Sequence, residues 1–181
     1  MRPAFEKLYW EEAYLFDVVG PRFRETGRLS SYDFFFLVRW KANRAKGRVA
    51  SLLCRVAGSD LETAVARLAG ELREATTARA RLLLLLGRWK LRLPMASAIL
   101  TVLFPEEFTV YDVNVRQEVG ASRNFAQRRD LDDVWAGYIE FKKAVERAAP
   151  AGLCLRDKDR FLFARSRHKS HLRFLETHSG A

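Results

Sequence analysis

The chain has 181 residues, of which 49% are hydrophobic, 12% aromatic and 30% charged, enough to bury a core, too few for a multidomain assembly and unlike a disordered chain. Lys and Arg number 32 against 22 for Asp and Glu, a formal charge of +10 that directs attention to polyanions, nucleic acid first and an anionic membrane surface second. Cys54 and Cys154 lie 100 positions apart, which excludes a zinc knuckle or an iron–sulfur cluster built from thiolates; both read as reduced, buried cytosolic thiols. Glu6, Glu11 and Glu12 stand among the N-terminal aromatics, unlike the basic-then-apolar layout of a signal peptide. The longest apolar stretches, 82–86 and 93–104, fall short of the roughly 20 residues that cross a bilayer. The expectation is a soluble cytoplasmic protein, nucleoid-associated in a prokaryote.

In chain order the periodicity is helical almost throughout. Phe5, Leu8, Tyr9, Leu15, Phe16 and Val19 predict a first helix, stopped by Gly20-Pro21. Ser30-Ser31 caps a second over 32–42, and the basic stretch 43–56 forms a third. Ser59 followed by Glu62 reads as a capping box for a fourth, with Leu61, Val65, Leu68 and Leu72 on one face. A fifth covers 76–86, and a short, very apolar helix covers 95–104 before Pro105. Only Phe108 to Tyr111 has strand character, too short to found a sheet. Asp112 caps a helix over 113–119 that Gly120 closes. The stretch 121–130, with Arg123, Arg128 and Arg129, is the best linker. Leu131, Val134, Trp135, Tyr138, Phe141 and Val145 mark a long helix ending before Pro150, and a last one runs from about Asp157 towards Leu175. The predicted fold class is all-α, with no repeat and no low-complexity segment.

Basic residues gather in three places. Arg39, Lys41, Arg44, Lys46 and Arg48 enclose Trp40 and Asn43, an arrangement suited to stacking on a base and contacting phosphate. Arg88, Lys90 and Arg92 precede the short apolar helix. Arg156, Lys158, Arg160, Arg165, Arg167, Lys169 and Arg173 load the tail, where a run of charge reads equally well as a solvated helix face. His168, His171 and His178 sit in the same tail without a carboxylate spaced to join them, so no metal site is expected. No Gly-rich phosphate loop and no Gly-x-Ser-x-Gly turn is present, which sets aside P-loop NTPases, kinases and serine hydrolases.

The segment 91–120, LRLPMASAILTVLFPEEFTVYDVNVRQEVG, resembles the helix-hairpin-helix DNA glycosylase superfamily. In that family a hairpin leads into an Ala-rich helix, a Pro-containing turn and then an Asp in a Val-Asp-x-x-Val setting. Asp112 stands 20 residues after Arg92, matching that distance. The likeness covers about thirty residues well and extends weakly back to Ser31. It implies a two-lobed, all-helical fold with the active-site cleft between the lobes: a central lobe over 31–105 carrying the hairpin, and a second formed by 1–30 with 106–181. It places Trp40, Lys41, Asn43, Tyr111 and Asn114 at the substrate pocket, with Trp40, Tyr111 and Asn43 as stacking or gap-filling candidates, and Arg39, Arg44, Lys46, Lys90, Leu91 and Arg92 against DNA. Three departures stand out. Lys90 and Arg92 replace the hairpin's usual glycines, Pro94 occupies the position of the lyase lysine, and the cysteine-bound cluster of some members is absent.

The chemistry agrees with a single carboxylate. Hydrolysis of an N-glycosidic bond passes through an oxocarbenium-like sugar, which a fixed carboxylate near C1′ stabilises while orienting water. Asp112, at a helix N-terminus, suits that role, although capping is also the ordinary work of an Asp there. The target nucleotide must be flipped out of the duplex. The expectation is therefore a monofunctional DNA glycosylase that excises a damaged or modified base from double-stranded DNA, without AP-lyase activity, metal or cofactor, acting as a monomer. The alternative from another class is a catalytically silent DNA-binding module on the same fold.

Overall fold

A computed structural model describes residues 10–122 and 124–178, so Phe5, Leu8, Tyr9 and Arg123 lie outside the described residues. Among those described there is helix and no strand. The expected burial of both cysteines is not found: Cys54 is half-buried, and Cys154 is exposed, its thiol donating to the Asp157 carboxylate at 3.2 Å. The chain divides into two compact units, the first ending at Glu107 and the second beginning at Phe108.

The first unit is organised around one helix. Helices α1 (Glu11–Tyr14) and α2 (Gly20–Thr26) are joined through a π turn, Leu15–Val19, in which the N–H of Gly20 reaches back five residues to the Leu15 carbonyl. Helix α3 (Ser31–Ala42) follows, then a 3-10 turn (Asn43–Ala45), α4 (Lys46–Ala57), α5 (Leu61–Glu74) and α6 (Ala78–Leu83), with a second π turn over Leu84–Arg88. Helix α7 (Leu93–Leu103) closes the set; every residue from Met95 to Leu103 is buried. A helix apolar on all sides needs neighbours on all sides. They are α2, α3, α6 and both π turns.

Gly20-Pro21 does not stop the first helix as expected. The π turn shifts the register, and Pro21 then falls in the first turn of α2, where its missing N–H costs no helical bond. Gly20 serves packing instead: a Cβ there would lie 2.5 Å from the Val102 carbonyl oxygen of α7. Arg24 of α2 donates to the Leu103 carbonyl at 3.3 Å, covering the exposed end of α7. The described part of 1–30 packs within the first unit.

Caps set the other boundaries. Ser30 and Asp33 form a reciprocal capping box at α3. Asp33 is buried, and its carboxylate also accepts from the Tyr14 hydroxyl at 2.7 Å and pairs with Arg22 at 2.6 Å, tying α1, α2 and α3 together. Burial pushes the Asp33 carboxyl up, but the Ser30, Tyr14 and Arg22 donors outweigh it and hold it below the usual range. The Tyr14 hydroxyl, buried beside that carboxylate, is pushed up to about 12. At α5 the cap is Asp60, whose side chain accepts from the Thr63 N–H at 2.9 Å, and not Ser59. Glu62, expected to complete a box with Ser59, instead accepts from the Ser31 N–H at 3.0 Å and from its hydroxyl.

The second unit contains α8 (Val113–Glu118), a 3-10 turn (Asn124–Gln127), α9 (Leu131–Ala148) and α10 (Leu155–His178). The segment 108–112 is extended but unpaired with any strand. Tyr138 of α9 holds it instead, its hydroxyl donating to the Thr109 carbonyl at 2.8 Å and accepting from the Thr109 N–H at 3.0 Å. Complete burial drives the Tyr138 hydroxyl's pKa strongly up, so it stays protonated and able to donate. Glu118 fastens α8 to α10 by accepting from Arg165 at 2.5 Å and Lys169 at 2.6 Å. The stretch 121–130 is no linker: Phe125 is buried against Tyr111, and a Cβ on Gly137 would strike its ring.

Two glycines in helices separate packing from propensity. Gly20→Ala is expected to destabilise by about 1–3 kcal/mol, because the added methyl meets backbone. Gly70→Ala, inside α5 with nothing within 4 Å of the new methyl, is expected to stabilise by about 0.5–1 kcal/mol. Urea unfolding of both variants measures the contrast.

Candidate nucleic-acid interface

The turn between α6 and α7 is built from one carboxylate. Glu71 of α5 accepts from Arg88 Nε at 2.8 Å and from the indole N–H of Trp89 at 2.8 Å, with Arg67 behind it at 3.2 Å. Trp89 is 0% exposed, so its N–H needs that partner. Burial pushes the Glu71 carboxyl up, and the Arg88 and Trp89 bonds more than compensate, leaving it below the ordinary range. The chain then reverses. The Trp89 N–H returns to the Leu84 carbonyl at 3.2 Å and the Leu91 N–H to that of Leu85 at 3.0 Å.

This closure places Lys90 at φ 55°, the one left-handed non-glycine among the described residues. Left-handed residues that close helices are usually glycine, because a side chain there is crowded. Leu91 turns inward at 5% exposure, while Lys90 and Arg92 point to solvent. Arg92 occupies the N-cap of α7, whose first turn has neither a side-chain cap nor an acidic residue. From 75 to 105 the chain carries Arg79, Arg81, Arg88, Lys90 and Arg92 and no carboxylate. Arg81 is spoken for, bonded to Glu107 at 2.5 Å and lying 4.0 Å over the Phe104 ring. The turn tip is therefore a positively charged edge, which suits an anion through its side chains, since Pro94 has no N–H and those of Met95 and Ala96 are bonded to the Arg92 carbonyl at 2.9 and 3.0 Å.

The first basic cluster sits where α3 passes into α4. Arg39 pairs with Glu11 at 2.6 Å, and Lys46 donates to the Asn43 side-chain oxygen at 2.8 Å. Trp40 is partly buried, edge-on to Phe16 at 5.7 Å, and Lys41 is likewise half-exposed. Arg44 and Lys46 are exposed. No acidic residue occurs between Asp33 and Asp60, so this edge is also strongly basic.

Asp112, Tyr111 and Asn114 meet in the second unit. Asp112 caps α8, its Oδ1 accepting from the Asn114 N–H at 2.9 Å and from the Asn114 side-chain amide at 3.0 Å. Asn114 thus orients the carboxylate as well as being capped by it. Tyr111 is 6% exposed, its ring packed against Phe125 at 5.2 Å and Phe141 at 5.1 Å. The Tyr138 bonds to Thr109 fix the extended segment that delivers Asp112, and nothing in the sequence marked Glu71 or Tyr138 for these positioning roles. Among the described residues no group of His, Cys, Asp and Glu could hold a metal ion, and no helix is long and apolar enough to cross a membrane.

No family model matches this chain, and neither a curated protein nor a solved structure was found to match it.

The Glu71 clamp has a pH signature. Its carboxyl titrates lower folded than unfolded, so the stability it contributes is present above about pH 4.5 and is lost as pH falls through the lowered folded value. Glu71→Gln is expected to cost about 1 kcal/mol at pH 7, with the gap to wild type narrowing in acid. Thermal unfolding of the two proteins from pH 7 to pH 3 checks it.

Proposed function

We propose that this protein binds double-stranded DNA and hydrolyses the N-glycosidic bond of a flipped, damaged or modified base, leaving an abasic site. The observation that carries the reading is the turn 89–92: a residue held left-handed where the resembled hairpin uses glycine, a buried Leu91, and the uncapped start of an Ala-containing helix. Lys90 and Arg92 would take phosphates on either side of that turn. Asp112 would stabilise the oxocarbenium and orient water, with Asn114 holding the carboxylate in place. Trp40 and Asn43, on the basic edge around α3 and α4, would serve the flipped nucleotide. Pro94 offers no amine, so the sugar would be attacked by water and not by a lysine.

The capping bonds at Asp112 also suit the second reading, a DNA-binding module without turnover. Incubation with duplexes carrying a panel of modified bases, followed by hot alkali, separates the two. Under the catalytic reading strand breaks appear only after alkali, borohydride traps no covalent complex, and Asp112→Asn abolishes base release while binding persists. Activity of the Asn variant within a few-fold of wild type would exclude Asp112 from the chemistry.

Lys90 and Arg92 are expected to act through salt-dependent affinity. Replacing both with Ala should weaken binding to all duplexes about equally and flatten the log–log salt slope by up to about two units. Affinities for modified and plain duplexes at several salt concentrations measure this. An unchanged slope would move the DNA track to the Arg39–Arg48 edge.

A further inference from the structure

Helix α10 is seated in the second unit through Leu155, Asp159, Leu162 and Ser166, yet it continues to His178 with every residue from Arg167 onward exposed. Those last residues extend about 18 Å beyond the final buried position. A helix end that only dissolves in water is polar all round. This one carries Phe174 at 61% exposure, following Phe163 at 42%.

Phe163, Arg167, Phe174 and His178 are spaced by four, seven and four residues and so share one stripe. The two phenylalanines are about 16 Å apart along the axis, with Arg167 between them. The Phe174 and His178 rings already stack, their centroids 4.3 Å apart and their planes 25° from parallel. Phe161, Leu172 and Leu175 are exposed on the opposite flank, where Arg165 lies 5.3 Å over the Phe161 ring. Basic residues accompany both flanks. From Arg167 to His178 the sequence has Arg167, Lys169 and Arg173 and a single carboxylate, Glu176, with Lys169 held by Glu118.

The distribution decides between two anionic partners. A helix lying in a membrane interface presents one continuous apolar face opposite a charged one, whereas here the apolar side chains are split between two flanks. Unpaired bases use separate rings one at a time, with cations between them for the phosphates. We propose that the exposed flank of α10 is a stacking platform for single-stranded nucleic acid, with Phe163 and Phe174 each taking a base and Arg167 the intervening phosphate. This surface is independent of the Asp112 chemistry and goes beyond it.

The test uses the full chain and a dye-labelled oligothymidylate of about 12 nucleotides, read by fluorescence anisotropy, with circular dichroism to check helix content. Phe163→Leu with Phe174→Leu keeps apolar bulk but removes the rings, and should weaken binding at least about tenfold, while the Trp pair at the same positions should bind as well as wild type and be quenched by the oligomer. Arg167→Ala should reduce the log–log salt slope by about 0.7. Unchanged affinity of the Leu pair, absence of oligomer binding by the wild type, or binding to phosphatidylserine vesicles retained by the Leu pair in place of oligomer binding would overturn the proposal. Base release from modified duplexes is assayed separately, so loss of either activity alone identifies which reading fails.

Discussion

A helix with no polar face constrains everything around it. Residues 95–103 are buried on every side of α7, and the two hydroxyls among them are neutralised within the helix itself, Thr101 donating to the Ser97 carbonyl at 2.8 Å and Ser97 to that of Pro94 at 3.3 Å. The surrounding chain must supply apolar cover in all directions, and it does so with unusual local geometry. Both π turns press on α7. One carries Gly20 against its backbone and the other ends in Trp89, whose indole N–H had to find Glu71 for the ring to be buried. The left-handed Lys90 is the downstream result: once Trp89 is fixed inward and α7 is fixed in place, the connecting residue must reverse direction within one position.

The second unit solves a similar problem by hydrogen bonding. Its extended segment 108–112 has no partner strand, so the backbone groups of Thr109 would be left unsatisfied in the interior. The Tyr138 hydroxyl meets both of them. Asp112 is therefore presented from backbone anchored two helices away in sequence. The carboxylate's direction is set by Asn114, its near neighbour in the chain, and the course of its backbone by the distant Tyr138.

Much of this was legible in the sequence. Helical periodicity, the caps at Ser30 and Asp112, the ends of α7 and α9 and the all-helical class are local properties, and the structure has them. The errors arose where a distant contact overrode a local signal. Gly20-Pro21 reads as a stop because its significance lies in Val102, 82 residues on. Ser59 and Glu62 read as a box, but Asp60 is the better acceptor and Glu62 is drawn to Ser31. At Tyr111 the residue type announces an aromatic ring, but its packing against Phe125 and Phe141 is a long-range property that only the structure displays. Lys90, Leu91 and Arg92 were identified as a turn from their resemblance to a glycine-containing one. That a lysine takes the left-handed conformation there could not be read from residue type, which argues against it. Glu71 had no signal at all, since a carboxylate on an amphipathic helix is the commonest of surface features.

The two π turns have a further meaning. Each holds one residue more than an α-helical path of the same span, and each lies where its helix meets α7. Removing that extra residue would let the helix run regularly, but would rotate everything before it by about 100° and turn its apolar stripe away from the core. At these two places the count of residues, more than their chemistry, sets the fit. A substitution within 15–19 or 84–88 disturbs packing at one position, whereas a single-residue deletion there changes which face of a whole helix looks inward.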